Sequence, residues 1–181
     1  MKHLFLSAII AFAFCRADAQ ASKEWFTVKS DSGKFWVSFP SQPEESVETV
    51  ETDIGTIDMH MAILDLSADS TAPTMLYLSS WNDYPIEKVN ITSDSELVSF
   101  YNGTLNGSVE NVKGKLIQKK EIKMGGKTAM SADIDFQEGA AVIHIQYLLV
   151  KNRLYMLETI TETAKKDNIA ASRFFDSFKL K

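Results

Sequence analysis

The sequence holds a single cysteine, Cys15, in 181 residues. That residue falls in an N-terminal stretch that reads as an export leader, so the chain left after cleavage would carry no thiol. A disulfide framework, a thiol nucleophile and a thiolate metal site are excluded from such a domain, and its fold must rest on a packed core. Proline is scarce as well, at four residues. No proline-rich tract, low-complexity segment, internal repeat or linker interrupts the chain, which reads as one domain. Long hydrophobic runs are missing: the apolar stretch Leu4–Phe14 is far short of the roughly 20 residues that a bilayer span requires, so no transmembrane segment is expected. A basic stripe is missing too. The formal charge is −5, and beyond Lys119-Lys120 and Lys165-Lys166 the lysines are interspersed with acids. An acidic chain without a basic patch argues against nucleic acid or an anionic membrane as partner.

What is present begins with the leader. Lys2 and His3 give a short polar start, Leu4–Phe14 an apolar core, and Ala17-Asp18-Ala19 the small-x-small cleavage pattern. Residues 1–19 are therefore expected to be a cleaved signal peptide, and residues 20–181 a single domain that is periplasmic or secreted. Lipid anchoring through Cys15 is not expected, because Phe14 stands where a lipoprotein places a small residue. A leader followed by a cysteine-free domain suits a bacterial envelope protein.

Period-two alternation dominates the rest. Thr128–Phe136 sets Met130, Ala132, Ile134 and Phe136 against Ser131, Asp133 and Asp135, a half-buried strand. Ala141–Val150 is apolar on both faces and so predicts a central strand covered on both sides. Arg153–Thr161 is a third strand, and Thr163 is read as the cap of a terminal helix carrying Ile169, Arg173 and Phe174. Upstream, Glu24–Lys29 and Phe35–Phe39 flank Asp31-Ser32-Gly33-Lys34 as a hairpin. Val47–Thr52 and Thr56–Leu66 form a second one, with Ile57, Met59, Met61 and Ile63 as its core face. Thr74–Trp81 is a further strand, broken by Asn82-Asp83-Tyr84-Pro85. Ser93 and Glu96 make a capping box for a helix with Leu97, Phe100, Tyr101, Leu105 and Val109 on one stripe. Gly103 and Gly107 weaken that helix, and Gly114–Lys123 returns to strand. Helices set among runs of antiparallel strands point to the α+β class.

Chemical motifs are incomplete throughout. Gly126-Lys127-Thr128 echoes a phosphate loop, but Glu121 stands where the earlier glycine is needed, and a strand follows instead of a helix. Met59 and Met61 point away from His60 in a strand, which spoils a soft-ligand metal site. No nucleophile elbow is present. Asp133 and Asp135 share a strand face, which solvent-facing alternation explains. No catalytic, metal or cofactor-binding residue is assigned, and neither enzymatic activity nor a cofactor is expected. The one candidate surface is aromatic: Trp81, Asp83 and Tyr84, at a strand end and its loop. Sequons at Asn90, Asn102 and Asn106 are expected to stay unmodified in a bacterial protein.

Several landmarks occur together: Phe35-x-Val37-x-Phe39-Pro40 with Pro43, Asp83-Tyr84-Pro85 after a strand, Arg153-Leu154-Tyr155-x-Leu157, and Phe174-x-Asp176-Ser177-Phe178. In this the chain resembles the PsbP-like superfamily, which includes exported bacterial DcrB-like proteins. The resemblance implies an antiparallel sheet of about six strands with helices on both faces, and members that act mostly as binding or assembly factors. The expectation is an exported, non-catalytic envelope protein that binds a protein partner. The alternative is a small-ligand carrier with a pocket between the sheet and the Leu97–Leu105 helix, lined by Tyr101, Tyr147 or Tyr155.

Overall fold

The computed structural model describes residues 24–52 and 55–181. The leader, Cys15 and the turn residues Asp53 and Ile54 lie outside the described residues. The elements in order are β1 (Phe26–Ser30), β2 (Phe35–Phe39), β3 (Glu44–Thr52), β4 (Gly55–Asp65), β5 (Leu76–Asp83), α1 (Asp94–Asn111), β6 (Lys115–Met124), β7 (Lys127–Phe136), β8 (Ala141–Val150), β9 (Arg153–Glu162), a 3-10 turn (Thr163–Lys165), α2 (Ile169–Asp176) and β10 (Lys179–Leu180).

The strands form two antiparallel sheets. The larger has seven strands in the order β3-β4-β5-β9-β8-β7-β6, and the smaller has three in the order β1-β2-β10. The expected six strands are thus seven in one sheet, and the first hairpin belongs to a sheet of its own. Short turns explain the β6–β9 meander. Gly125 and Gly126 both adopt positive φ (55° and 79°), which a two-residue hairpin loop demands and glycine supplies without strain. The meander runs inward from the β6 edge until β9 pairs with β5. The connection from β5 to β6 must therefore cross three strands, and α1 makes that crossing.

The capping box holds as read: Ser93 Oγ accepts from Glu96 N at 3.3 Å, and Glu96 Oε2 accepts from Ser93 N at 3.2 Å. The helix runs through Gly103 and Gly107 to Asn111, carrying the Asn102 and Asn106 sequons within it. At the C-terminus the cap is Asn168, whose Oδ1 accepts from Ala171 N at 2.8 Å. Thr163 instead bonds Gly139 O at 2.7 Å. The last residues leave the helix as β10, with Leu180 opposite Phe35.

Two apolar clusters flank the larger sheet. One joins Tyr101 and Leu105 of α1 to Ile134, Ile143, Ile145 and Tyr147. The other joins Phe174 of α2 and Val37 and Phe39 of β2 to Tyr77, Leu148 and Tyr155. Tyr147 and Leu148 are consecutive, as are Leu154 and Tyr155, and successive strand residues point to opposite faces. The clusters therefore lie on opposite faces, which is why β8 is apolar on both. On β4 the deeply buried residues are Ala62 and Leu64, facing β2 and α2, with Ile57 buried near the turn. Met59, Met61 and Ile63 are only half-buried, because α1 packs over β7 at the far side of the sheet.

Candidate functional site

The three residues singled out from the sequence separate in the fold. Trp81 and Asp83 fall on one face of β5, and Tyr84 turns into the α1 layer. There its ring meets Phe100 edge-on at 5.7 Å. Its backbone is tied to Asn152, through Tyr84 N to Asn152 O at 2.9 Å and Asn152 Nδ2 to Tyr84 O at 2.6 Å. Burial raises the pKa of its phenol. Tyr84 is a packed residue of that layer.

Trp81 floors a cleft of about 320 Å³ between the β1–β2 hairpin and the β3–β4–β5 end of the larger sheet. β4 places His60 directly opposite it, and the two rings stack with centroids 3.8 Å apart. The Arg153 guanidinium lies 4.2 Å from the same indole centroid. Its Nε and Nη2 each donate to Asp83 at 2.6 Å, and its Nη1 donates to Ser32 O at 2.6 Å. Tyr155 adds a bond from its hydroxyl to Gly33 O at 2.7 Å. Arg153 and Tyr155 thus clamp the tip of the small sheet to the large one and hold the cleft's wall in place. Gly33 is fitted to that contact, since a Cβ there would sit 2.6 Å from both Phe35 and Ser30. Among the lining residues, Ser79 is 2 % exposed, and its buried Oγ has no hydrogen-bond partner. Glu45 and Val47 of β3 form the outer lip.

A second recess, of about 410 Å³, lies between β7–β8–β9 and the start of α2. Asp133, read from the sequence as solvent-facing, is half-buried here. It accepts a short hydrogen bond from His144 Nδ1 and one from Gln118 Nε2 at 2.6 Å. The bond from His144, opposed in part by burial, leaves the Asp133 pKa lowered. His144 Nε2 lies 3.4 Å from Ser131 Oγ, which completes the connectivity of a Ser-His-Asp relay. It lacks what acyl transfer needs besides. Ser131 is 2 % exposed, the Phe175 ring packs edge-on against His144 at 4.6 Å, and β7 is paired on both sides. Its N–H groups are committed to the sheet ladders and cannot form an oxyanion hole.

The layer between α1 and the sheet is filled. Tyr101 Oη donates to Thr128 O at 3.0 Å and accepts from Leu149 N at 2.9 Å, and Tyr147 Oη bonds Ser108 Oγ at 2.6 Å. Both rings are essentially inaccessible, and Tyr155 lies on the other face. Those three tyrosines do not share a pocket. Among the described residues no three His, Cys, Asp or Glu side chains converge as metal ligands, and no helix is long and apolar enough to cross a membrane.

Sequence reasoning missed His60 and Ser79 as members of the cleft, and Arg153 as the clamp beside it. Only the register between β4, β5 and β9 brings them together, and nothing local in the sequence encodes it.

No protein-family model matches the chain, and a search of curated proteins finds no match either. Among solved structures the chain is similar to the cyanobacterial PsbP (CyanoP) of Synechocystis sp. PCC 6803. The identity is 7 %, the TM-score 0.50, and the match covers 90 % of this chain and 96 % of that one. At that identity the likeness concerns the fold, which is PsbP-like.

Proposed function

We propose that the protein is an exported, non-catalytic envelope factor that binds an extended, basic segment of a partner protein at the Trp81 cleft. The observation that carries this reading is the buried, unpartnered Ser79 hydroxyl beside the stacked His60–Trp81 pair, in a recess that opens onto strand β3. A polar group left unpaired costs about 1–3 kcal/mol, a cost that a ligand's own donor or acceptor would relieve. Beside the cleft, β3 is an end strand of the larger sheet, so one row of its backbone groups is open to strand addition. Its residues Glu44, Glu45, Glu48 and Glu51 are acidic, and Glu44–Thr52 contains no lysine or arginine. Those glutamates repel a second β3 and attract a positively charged strand. The recess is at the low end of ligand-pocket sizes, which suits one anchoring side chain. Export to the periplasm and kinship with DcrB-like proteins belong to the same proposal, on the strength of the leader and the landmark residues.

The test is a selection of random peptides on the purified protein, followed by affinity measurement. Basic, extended binders that lose at least tenfold in affinity on Trp81→Ala and on Glu45→Lys plus Glu48→Lys support the reading. Binders indifferent to both changes would overturn it. A small molecule retained through purification and displaced by Trp81→Ala would turn the same cleft into a carrier's pocket.

A further inference from the structure

The second recess is independent of the Trp81 cleft, and its chemistry is different. Its floor holds Thr159, which is 0 % exposed and whose Oγ1 is buried without a hydrogen-bond partner. Like Ser79, it is a hydroxyl withheld from water and left unpaired. Its mouth is formed by Lys120 of β6, Lys166 and the first turn of α2. Both lysines are exposed and neither forms a close ion pair among the described residues, though Lys166 is near enough to help lower the Asp133 pKa. In α2, Asn168 takes up the N–H of Ala171, while the N–H groups of Ile169 and Ala170 have no acceptor among the described residues. A helix N-terminus with open N–H groups favours negative charge.

Two carboxylates face the same space, Asp133 and Asp167. Asp133 keeps its negative charge, but its oxygens already accept from His144 and Gln118 and it is drawn toward Lys166. His144 is likewise spent, with Nδ1 on Asp133 and Nε2 toward Ser131. Against the two carboxylates stand two ammonium groups, the open N–H groups of the helix end and the Thr159 hydroxyl. The balance is in favour of donors. We infer that this recess is a binding site for a small oxyanion of the phosphate type, with Lys120, Lys166 and the α2 N-terminus taking its oxygens and Thr159 bonding from below. The anion is either free phosphate or the phosphomonoester group of a larger ligand.

The experiment is a titration of the purified protein with inorganic phosphate and with phenyl phosphate, at ionic strength held constant with sodium chloride, read by calorimetry and by the thermal midpoint. Saturable binding is expected in the wild type. A loss of at least tenfold in affinity is expected in Lys120→Ala plus Lys166→Ala, and again in Thr159→Val. Thr159→Ser, which keeps the hydroxyl, should retain binding, as should a control pair remote from the recess, Lys113→Ala plus Lys151→Ala. Tighter binding of phenyl phosphate than of phosphate identifies the anion as part of a larger ligand, and the reverse identifies free phosphate. Equal midpoint shifts in wild type and both site variants would mean a general effect of the salt on the surface and would overturn the proposal, as would the absence of saturable binding.

Discussion

His60 lies flat on Trp81, with planes 2° from parallel and centroids 3.8 Å apart. The contact exists because β4 and β5 put the two residues directly opposite each other, and side chains that face each other across strands interact most strongly. Trp81 is also the residue that Arg153 covers, so one indole joins the end of the large sheet to the clamp on the small one. Trp81→Ala should cost about 3–5 kcal/mol, as a large buried aromatic does. His60→Ala should cost only about 1 kcal/mol, the value of an aromatic pair beyond its area. Urea unfolding of the two variants checks the ratio, and equal costs would mean that the stack is not the smaller part of Trp81's role.

Arg153 makes a two-pronged bond to Asp83 and a third to Ser32 O, a geometry that only a guanidinium fork supplies. Arg153→Lys should therefore behave as a loss, destabilising by about 1–2 kcal/mol. Because the third bond reaches the β1–β2 turn, the lesion should also loosen the small sheet. Hydrogen exchange at the amides of residues 26–39 should rise in Arg153→Lys more than at those of β7 and β8. Uniform protection across both sheets would argue that the clamp is decorative.

Helix α1 offers a change in the opposite direction. Gly103 and Gly107 sit in its interior, and a Cβ built at either would meet nothing within 4 Å. Glycine costs a helix roughly 0.5–1 kcal/mol relative to alanine. Gly103→Ala and Gly107→Ala should each stabilise the protein by about that amount, and as i,i+4 neighbours on one helix face the pair can couple in the double variant. Denaturant midpoints of the single and double variants measure it. Gly114→Ala is the contrasting control: its Cβ would lie 2.5 Å from Asp135 O, and it should destabilise.

The sequence made the strands legible because they alternate, and the helix because Ser93 and Glu96 mark its start. It was less informative where both faces of a strand are apolar. On β4 the alternation put Ile57, Met59, Met61 and Ile63 on the face read as core, whereas apart from Ile57 the deeply buried residues are Ala62 and Leu64 of the other face. Which face is deeper depends on how far α1 reaches across the sheet, a tertiary fact with no local signature. The two-residue strand β10 is likewise invisible by itself, since it exists only because Phe35 and Trp36 of β2 offer it a ladder. Of the three residues named from the sequence, Trp81 and Asp83 share one face of β5. Tyr84 was grouped with them by adjacency in sequence, whereas the pleat sends it to the other face.

Glu158 is the residue whose consequences sequence reasoning could least foresee. It is a polar residue on a strand, of the kind ordinarily assigned to solvent, yet its partners across β8 and β5 are Ile145 and Leu78. Burial among such neighbours pushes its pKa up to about 7 from an ordinary 4.5. The folded state therefore holds this proton more tightly than the unfolded chain does. Stability from this group is fully present below about pH 4.5 and is lost as pH rises through 4.5 to 7, by up to about 3 kcal/mol at 1.36 kcal/mol per pKa unit. Asp133, whose pKa is lowered by His144, acts with the opposite sign: its contribution is present above the ordinary aspartate range and is lost as pH falls below it. The two are separable by mutation. Glu158→Gln should match the wild type at pH 4.5 and exceed it at pH 8, and Asp133→Asn should lose stability at pH 8 while converging on the wild type in acid. Urea unfolding of the three proteins at pH 8, at pH 4.5 and below the aspartate range, at about pH 2.5, decides it. If Glu158→Gln follows the wild type's fall between pH 4.5 and 7, that fall arises elsewhere and the carboxyl is solvated in the folded protein.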